Sequence, residues 1–109
     1  MVRAGSLRKR YIVFRYSGPA ADEPALKKAI YAEALRFFGE YGLSFVALKL
    51  VSFDNQKGTG ILRCERAHLE SVLGFLALVS SLDGSDARLI ALKSSGTLRS
   101  LASVLDSTH

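Results

Sequence analysis

The sequence predicts an α+β fold in which helices cover one face of a four-stranded antiparallel sheet. Two observations support this prediction: stretches that alternate between polar and apolar residues, typical of strands, are interleaved with two longer stretches whose apolar residues recur every three or four positions. The predicted order is β-α-β-β-α-β, followed by a short C-terminal helix. At 109 residues, the chain has the length of one domain with one hydrophobic core, and we expect residues 1–109 to form it.

The first strand is predicted over residues 8–16, which carry apolar side chains on both sides, as an inner strand does. A helix should follow, because Asp22 can cap free backbone N–H groups and Pro24 suits a first helical turn. Gly39 and Gly42 supply the backbone freedom for the helix to end. The core-facing residues of this helix are expected to be Leu26, Ile30, Ala34 and Phe37 or Phe38.

The second half of the chain begins with a predicted hairpin. Residues 43–53 and 59–65 are the two strands, and the polar residues 54–58 are the turn between them. A long apolar helix over residues 66–82 and a fourth strand over residues 87–93 complete the sheet. The final short helix places Leu98, Leu101 and Leu105 on one face. This order resembles the split βαβ, or ferredoxin-like, arrangement.

The charge distribution favours a polyanionic partner. Fifteen Lys and Arg against ten Asp and Glu give a net charge of +5, and the first sixteen residues contain five cations and no acid. This segment is either a solubilising edge or a surface that contacts phosphates. Because every window of 18 residues contains a charge, we expect no membrane span. The N-terminus does not read as a signal peptide, and the single cysteine, Cys64, fits a reducing, cytoplasmic location.

The helix over residues 66–82 is more apolar than one small sheet requires. Leu69, Val72, Leu73 and Leu76 form a stripe sufficient to cover the sheet, which leaves a second apolar set without an assigned partner. We predict that this second set binds another protein surface; the alternative is that the C-terminal helix folds over it. The predicted partner-interface residues are Phe75, Leu78, Val79 and Leu82.

Residue patterns that would support catalysis are scarce. Neither His68 nor His109 has the spacing of a metal site or of a nucleophile and its base, and no catalytic residue, metal ligand or protein-bound cofactor is predicted. The stretch over residues 58–60 lacks the further Gly and the Lys-Ser/Thr of a nucleotide-binding loop. An RNA-recognition module should carry base-stacking aromatics on its third strand, and residues 57–64 lack them. RNA binding would therefore depend on phosphates and shape.

Two stretches resemble a known family, the archaeal ribonuclease P protein component two, or Pop-five subunit family. They are Gly58-Thr59-Gly60-Ile61-Leu62-Arg63-Cys64-Glu65-Arg66 and Ser95-Gly96-Thr97-Leu98-Arg99, supported by Arg10-Tyr11-Ile12-Val13-Phe14 and Phe38-Gly39-Glu40-Tyr41-Gly42. The chain departs from the family pattern in a short loop after the first strand and in Glu65, which places an acid between two family-like arginines.

The resemblance implies a non-catalytic subunit of an RNA enzyme, which removes the five-prime leader of precursor tRNA. It implies ribonuclease P RNA and precursor tRNA as partners, pairing with the thirty-kilodalton protein subunit and magnesium on the catalytic RNA; a homodimer is also possible. The predicted RNA-binding residues are Arg8, Lys9, Arg10, Lys57, Arg63, Arg66, Lys93 and Arg99.

Two alternatives remain open. The first is a phosphate-ester or acyl-phosphate hydrolase on the same fold, with Arg63 clamping the anion and Asn55 positioning water. The second is a self-assembling structural module that uses the apolar helix and has no nucleic-acid role.

Overall fold

The computed structural model describes residues 9–101, and its main sheet has four antiparallel strands. In chain order these are β1 (Lys9–Ser17), β2 (Lys49–Asp54), β3 (Thr59–Glu65) and β6 (Arg88–Ser95). They lie side by side in the order β2-β3-β1-β6. The first two strands run parallel on either side of β3, which pairs antiparallel with both. The predicted α+β, ferredoxin-like arrangement is confirmed.

Helix α1 (Glu23–Val46) begins as the sequence predicts but continues beyond the predicted end. The Asp22 carboxylate accepts a hydrogen bond from the Ala25 N–H at 3.0 Å and caps the first turn. At Gly39 the backbone leaves helical geometry, with φ 76° and ψ 166°, and then re-enters it. The prediction of a strand over residues 43–48 is therefore wrong, because a single non-helical glycine interrupts this helix without ending it.

Helix α2 (Leu69–Leu78) follows a 3₁₀ turn over Arg66–His68 and is shorter than predicted. Its predicted last turn instead leads into a small hairpin of strands β4 (Ser81–Leu82) and β5 (Ser85–Asp86). Asp83 and Gly84 between them both have positive φ, as a type I′ turn requires. The Asp-Gly turn signal therefore outweighed the helical spacing of the leucines before it.

Both helices pack on one face of the sheet and enclose the main core. This core contains residues from every layer, including Ile12, Phe14, Leu26, Ile30, Ala34, Leu62, Cys64, Val72, Phe75 and Leu76. The Tyr31 hydroxyl on α1 accepts a hydrogen bond from the Leu50 N–H on β2 at 2.9 Å, which fixes the helix against the sheet.

The opposite face of the sheet, here called the open face, has a smaller apolar cluster. Leu101, in a 3₁₀ turn over Arg99–Leu101, is fully buried against Val13 and Ile61. This turn thus meets the face opposite α2, so Leu101 does not cover the apolar helix as the alternative interpretation supposed. Leu98 is exposed, and Leu105 lies outside the described residues.

Within residues 9–101, neither helix combines the length and the hydropathy needed to cross a bilayer.

Candidate nucleic-acid interface

The strand register gathers most of the predicted RNA-binding cations at one end of the sheet. Strand β1 begins where β3 ends, because Lys9 lies opposite Glu65 and Arg10 opposite Cys64. Strand β6 ends there as well, since Ser95 lies opposite Tyr11. We call the resulting set the basic end of the sheet, and its members are Lys9, Arg10, Arg63, Arg66 and, just after β6, Arg99.

Two other predicted residues lie away from the basic end. Lys93 lies opposite Val13, halfway along β1. Lys57 is exposed in the hairpin turn at the other end of the sheet, where the Asp54 carboxylate accepts hydrogen bonds from its backbone N–H at 3.2 Å and from that of Gln56 at 2.9 Å. Arg8 lies outside the described residues. Hairpin geometry therefore separates Lys57 from the basic end by the length of β3.

The acid that departs from the family pattern, Glu65, also lies at the basic end. Its carboxylate forms an ion pair with the Lys9 ammonium across β1 and β3, and both side chains are about three-quarters buried. Lys9 is therefore partly neutralised in the free protein. A phosphate that approaches Lys9 must compete with this carboxylate.

Arg10 leans toward the loop after β6. Its Nη1 donates to the Lys9 carbonyl at 3.1 Å, and a Cβ added to Gly96 would lie 3.1 Å from the same nitrogen. In this loop the Thr97 N–H donates to the Ser95 hydroxyl oxygen at 3.2 Å. Gly96 thus leaves room for a guanidinium beside the Ser-Gly-Thr turn.

Arg63, like Lys9, lies on the open face of the sheet. It alternates with Leu62 and Cys64, whose side chains enter the main core on the helix side. Its Nε is buried and has no hydrogen-bond partner among residues 9–101. Arg63 lies opposite Tyr11 on one side and opposite Lys49 on the other. The sequence interpretation did not identify Lys49. It started the second strand six residues too early, so it did not establish which side chains of that strand point away from the helices.

Cys64, which lies opposite Arg10, is fully buried in the core. Burial, helped by the nearby Glu65 carboxylate, raises the pKa of its thiol from 9.0 to about 11. A thiol that stays protonated at neutral pH is a poor nucleophile.

The two residues assigned to the hydrolase alternative do not lie together. Asn55 lies in the hairpin turn before β3. Arg63 lies four residues, or about 13 Å, beyond the first residue of that strand. Among residues 9–101, His, Cys, Asp and Glu side chains form no group able to hold a metal ion. The structure thus keeps the proposed anion clamp and water-positioning residue apart.

The prediction that the four partner-interface residues are exposed is wrong for three of them. Phe75, Val79 and Leu82 are 2%, 5% and 5% exposed and belong to the main core, whereas Leu78 is 69% exposed. The covering element for Phe75 is α1, whose Phe37 and Phe38 rings lie 5.5 and 5.6 Å from its ring. The sequence analysis did not predict this contact, because it assigned to α1 an apolar stripe only wide enough to cover the sheet.

An apolar surface nevertheless remains between the helices. Leu78 and the half-exposed Phe37 line a groove, together with Glu33 and Arg36, over the buried Phe75 and Val79. We call this the interhelical groove. Leu35, Tyr41 and Phe45 add further exposed apolar area on α1.

Known proteins are similar in sequence to this chain over most of its length. The model of the Rpp14/Pop5 family matches residues 10–105. The chain is 38% identical over 95 residues to ribonuclease P protein component 2 of Pyrococcus furiosus, which covers 86% of this chain and 79% of that protein. It is 36% identical over 93 residues to the protein of the same name from Archaeoglobus fulgidus, with 84% and 83% covered.

A solved structure has the same fold. A chain in the cryo-EM structure of yeast ribonuclease MRP aligns with a TM-score of 0.69, covering 85% of this chain and 77% of its own length. The sequence identity is 17%. The likeness therefore concerns the arrangement of helices and strands.

Proposed function

The chain belongs to the Rpp14/Pop5 family, and on that premise we propose that it is a non-catalytic, RNA-binding protein subunit of ribonuclease P. In this role it supports the catalytic RNA in removing the five-prime leader of precursor tRNA. The proposal places the protein in the cytoplasm of an archaeal cell, within a ribonucleoprotein.

The observation that carries the proposal is the basic end of the sheet. Strands β1, β3 and β6 bring cations from distant parts of the sequence to one place, where a single added acid, Glu65, is already paired with Lys9. Clustered Lys and Arg neutralise phosphates and release counterions from the nucleic acid. The third strand has no aromatic side chain for stacking, which favours recognition of the RNA backbone and shape over recognition of unpaired bases.

Cations supplied by the protein would lower the need for metal ions. The folded catalytic RNA brings many phosphates together, and magnesium must screen their repulsion unless another cation does so. In the proposed enzyme, phosphodiester hydrolysis is carried out by magnesium bound to the RNA. The protein reduces the magnesium concentration at which the RNA reaches its active fold.

A reconstitution assay tests the proposed function. The protein alone should not cleave precursor tRNA at any magnesium concentration. Added with its partner subunit to ribonuclease P RNA from the same genome, it should shift the magnesium dependence of cleavage to lower concentration. An unshifted dependence, or robust cleavage by the protein without RNA, would contradict the proposal.

We further propose that the interhelical groove binds the thirty-kilodalton ribonuclease P protein subunit. Leu78 and Phe37 are exposed apolar side chains on neighbouring helices, and the buried Phe75 and Val79 below them form the floor of the groove. Apolar residues clustered in a groove with a charged rim are typical of protein interfaces. A homodimer through the same groove is the competing assembly, and sedimentation of the purified chain distinguishes the two.

A further inference from the structure

A row of side chains that can donate hydrogen bonds crosses the open face of the sheet next to the basic end. Lys49 lies opposite Arg63, Arg63 opposite Tyr11, and Tyr11 opposite Ser95, so each of the four strands contributes one residue. Side chains directly opposite each other in antiparallel strands point to the same face. We call these four residues the donor row.

The row lies on the open face, as its neighbours show. Leu50, Leu62 and Ile12, which are adjacent in sequence to row residues, all enter the main core on the helix side. Because consecutive residues of a strand alternate between faces, the row residues point away from the helices. Three strand spacings of about 4.8 Å make the row roughly 14 Å long.

The chemistry of the row fits an extended anion. Its side chains offer an ammonium, a guanidinium and two hydroxyl groups, each of which can donate to a phosphate oxygen. In the part of the chain that the structure describes, the buried Nε of Arg63 has no hydrogen-bond partner, and an unpaired buried donor favours an added acceptor. Lys49, at one end of the row, is exposed, so a ligand can reach it.

The open face is not suited to stacking of nucleobases on its side chains. The Tyr11 ring packs against the apolar cluster of Val13, Ile61 and Leu101, which occupies the middle of the open face. A nucleobase would have to displace Leu101, which is fully buried there. The hydroxyl of Tyr11 is the group available to a nucleic-acid backbone.

We propose that the donor row binds the sugar–phosphate backbone of one RNA segment, which crosses the sheet from β2 toward β6 beside the basic end. This deepens the proposed function and rests on it. The row adds Lys49, Tyr11 and Ser95 to the RNA-contacting surface. It extends that surface from the end of the sheet onto its open face.

Lys49→Gln is the first test, with ribonuclease P RNA from the same genome as the probe. Loss of one phosphate contact should lower the slope of log affinity against log salt by about 0.7 to 0.9, and should weaken binding about fivefold at about 150 mM salt. Lys28→Gln, which removes an exposed cation from α1, is the matched control and should bind like the unmodified protein. Because Lys49 is exposed, the substitution leaves the fold intact.

Two conservative variants separate hydrogen bonding from charge. Tyr11→Phe removes only the hydroxyl and should weaken binding roughly two- to tenfold with an unchanged salt slope. Arg63→Lys keeps the charge but loses the Nε donor, and it should also weaken binding without changing the slope. Circular dichroism establishes that each variant is folded.

The outcomes distinguish the row from the proposed function as a whole. If the unmodified protein binds the RNA with a steep salt dependence while Lys49→Gln and Tyr11→Phe match it, the donor row is wrong and the basic end suffices. If the unmodified protein itself shows no salt-dependent binding, the proposed function fails.

Discussion

At the scale of single residues, the ion pair between Lys9 and Glu65 weakens the surface that the family resemblance assigns to RNA. The carboxylate is paired with the Lys9 ammonium, and its negative charge lies next to the proposed path of the phosphates. The pair is therefore expected to oppose RNA binding. Its effect can be measured by removing one charge.

Glu65→Gln should raise RNA affinity. With the carboxylate gone, Lys9 is free to contact a phosphate, so the salt slope should increase by about 0.7 to 0.9 and binding should strengthen about fivefold at about 150 mM salt. Glu33→Gln is the matched control, since Glu33 is buried to a similar extent and pairs with Arg36 on the helix layer. Equal affinities of the two variants would show that the ion pair lies outside the RNA-binding surface.

Cys64 gives a prediction about pH. Its pKa is raised from 9.0 to about 11 by burial, so between these values the native state keeps a proton that the unfolded chain releases. The free energy of unfolding should therefore fall as the pH rises through this window, by at most about 1.4 kcal/mol per pH unit, and Cys64 should contribute no pH dependence below it.

Urea unfolding of the unmodified protein and of Cys64→Ala tests this prediction. Lysine and tyrosine titrations are common to both proteins and cancel in the difference. The stability difference between them should shrink from about pH 8 to about pH 10, since only the unmodified protein carries the thiol. A difference that stays constant over that interval would mean that the thiol pKa is not raised.

At the scale of elements, the sequence predicted the existence of each main strand and helix better than its ends. Alternation placed β1 within one residue of its observed bounds, and the polar turn at residues 54–58 placed the hairpin correctly. The errors fell at Gly39, where the helix continues, and at Val79, where α2 stops. Hydrophobic periodicity determined neither, because α2 gives way to a hairpin set by the Asp83-Gly84 turn, and α1 passes through one non-helical glycine without ending.

Gly39 and Gly74 offer a matched pair of substitutions within the two helices. A Cβ added to either would meet nothing within 4 Å, so their backbones alone distinguish them. Gly39 has φ 76° and ψ 166°, a region nearly exclusive to glycine, and Gly39→Ala should destabilise the protein by about 1 to 3 kcal/mol. Gly74 is helical, and Gly74→Ala should stabilise the protein by about 0.5 to 1 kcal/mol.

Urea unfolding of the two variants measures whether each substitution raises or lowers the free energy of unfolding. Stabilisation by both substitutions would mean that the kink at Gly39 is not required and that α1 can run straight. If Gly74→Ala keeps its stability but loses the partner subunit, a neighbouring chain approaches α2 at that glycine.

At the scale of the whole molecule, part of the candidate site could be predicted from composition and part required the register. The sequence identified most of the cations because charge is visible residue by residue. It could not show that Arg63 and Lys49 lie side by side, since the register of antiparallel pairing decides which distant residues meet. It assigned Phe75 to a partner because the packing of α1 against α2 is not visible in the periodicity of either helix, and α1 covers Phe75.

The interhelical groove gives the last prediction, which concerns assembly. Leu78→Glu should leave the protein folded, because Leu78 is 69% exposed, but it should abolish co-purification with the thirty-kilodalton subunit. Burying a carboxylate without a counter-charge costs several kcal/mol, enough to separate most subunit pairs, and the nearby Arg36 is already paired with Glu33. Leu35→Glu, at an exposed leucine that does not line the groove, should retain the partner, whereas Phe75→Glu should unfold the domain by circular dichroism. Retention of the partner by folded Leu78→Glu would exclude the groove as its binding site.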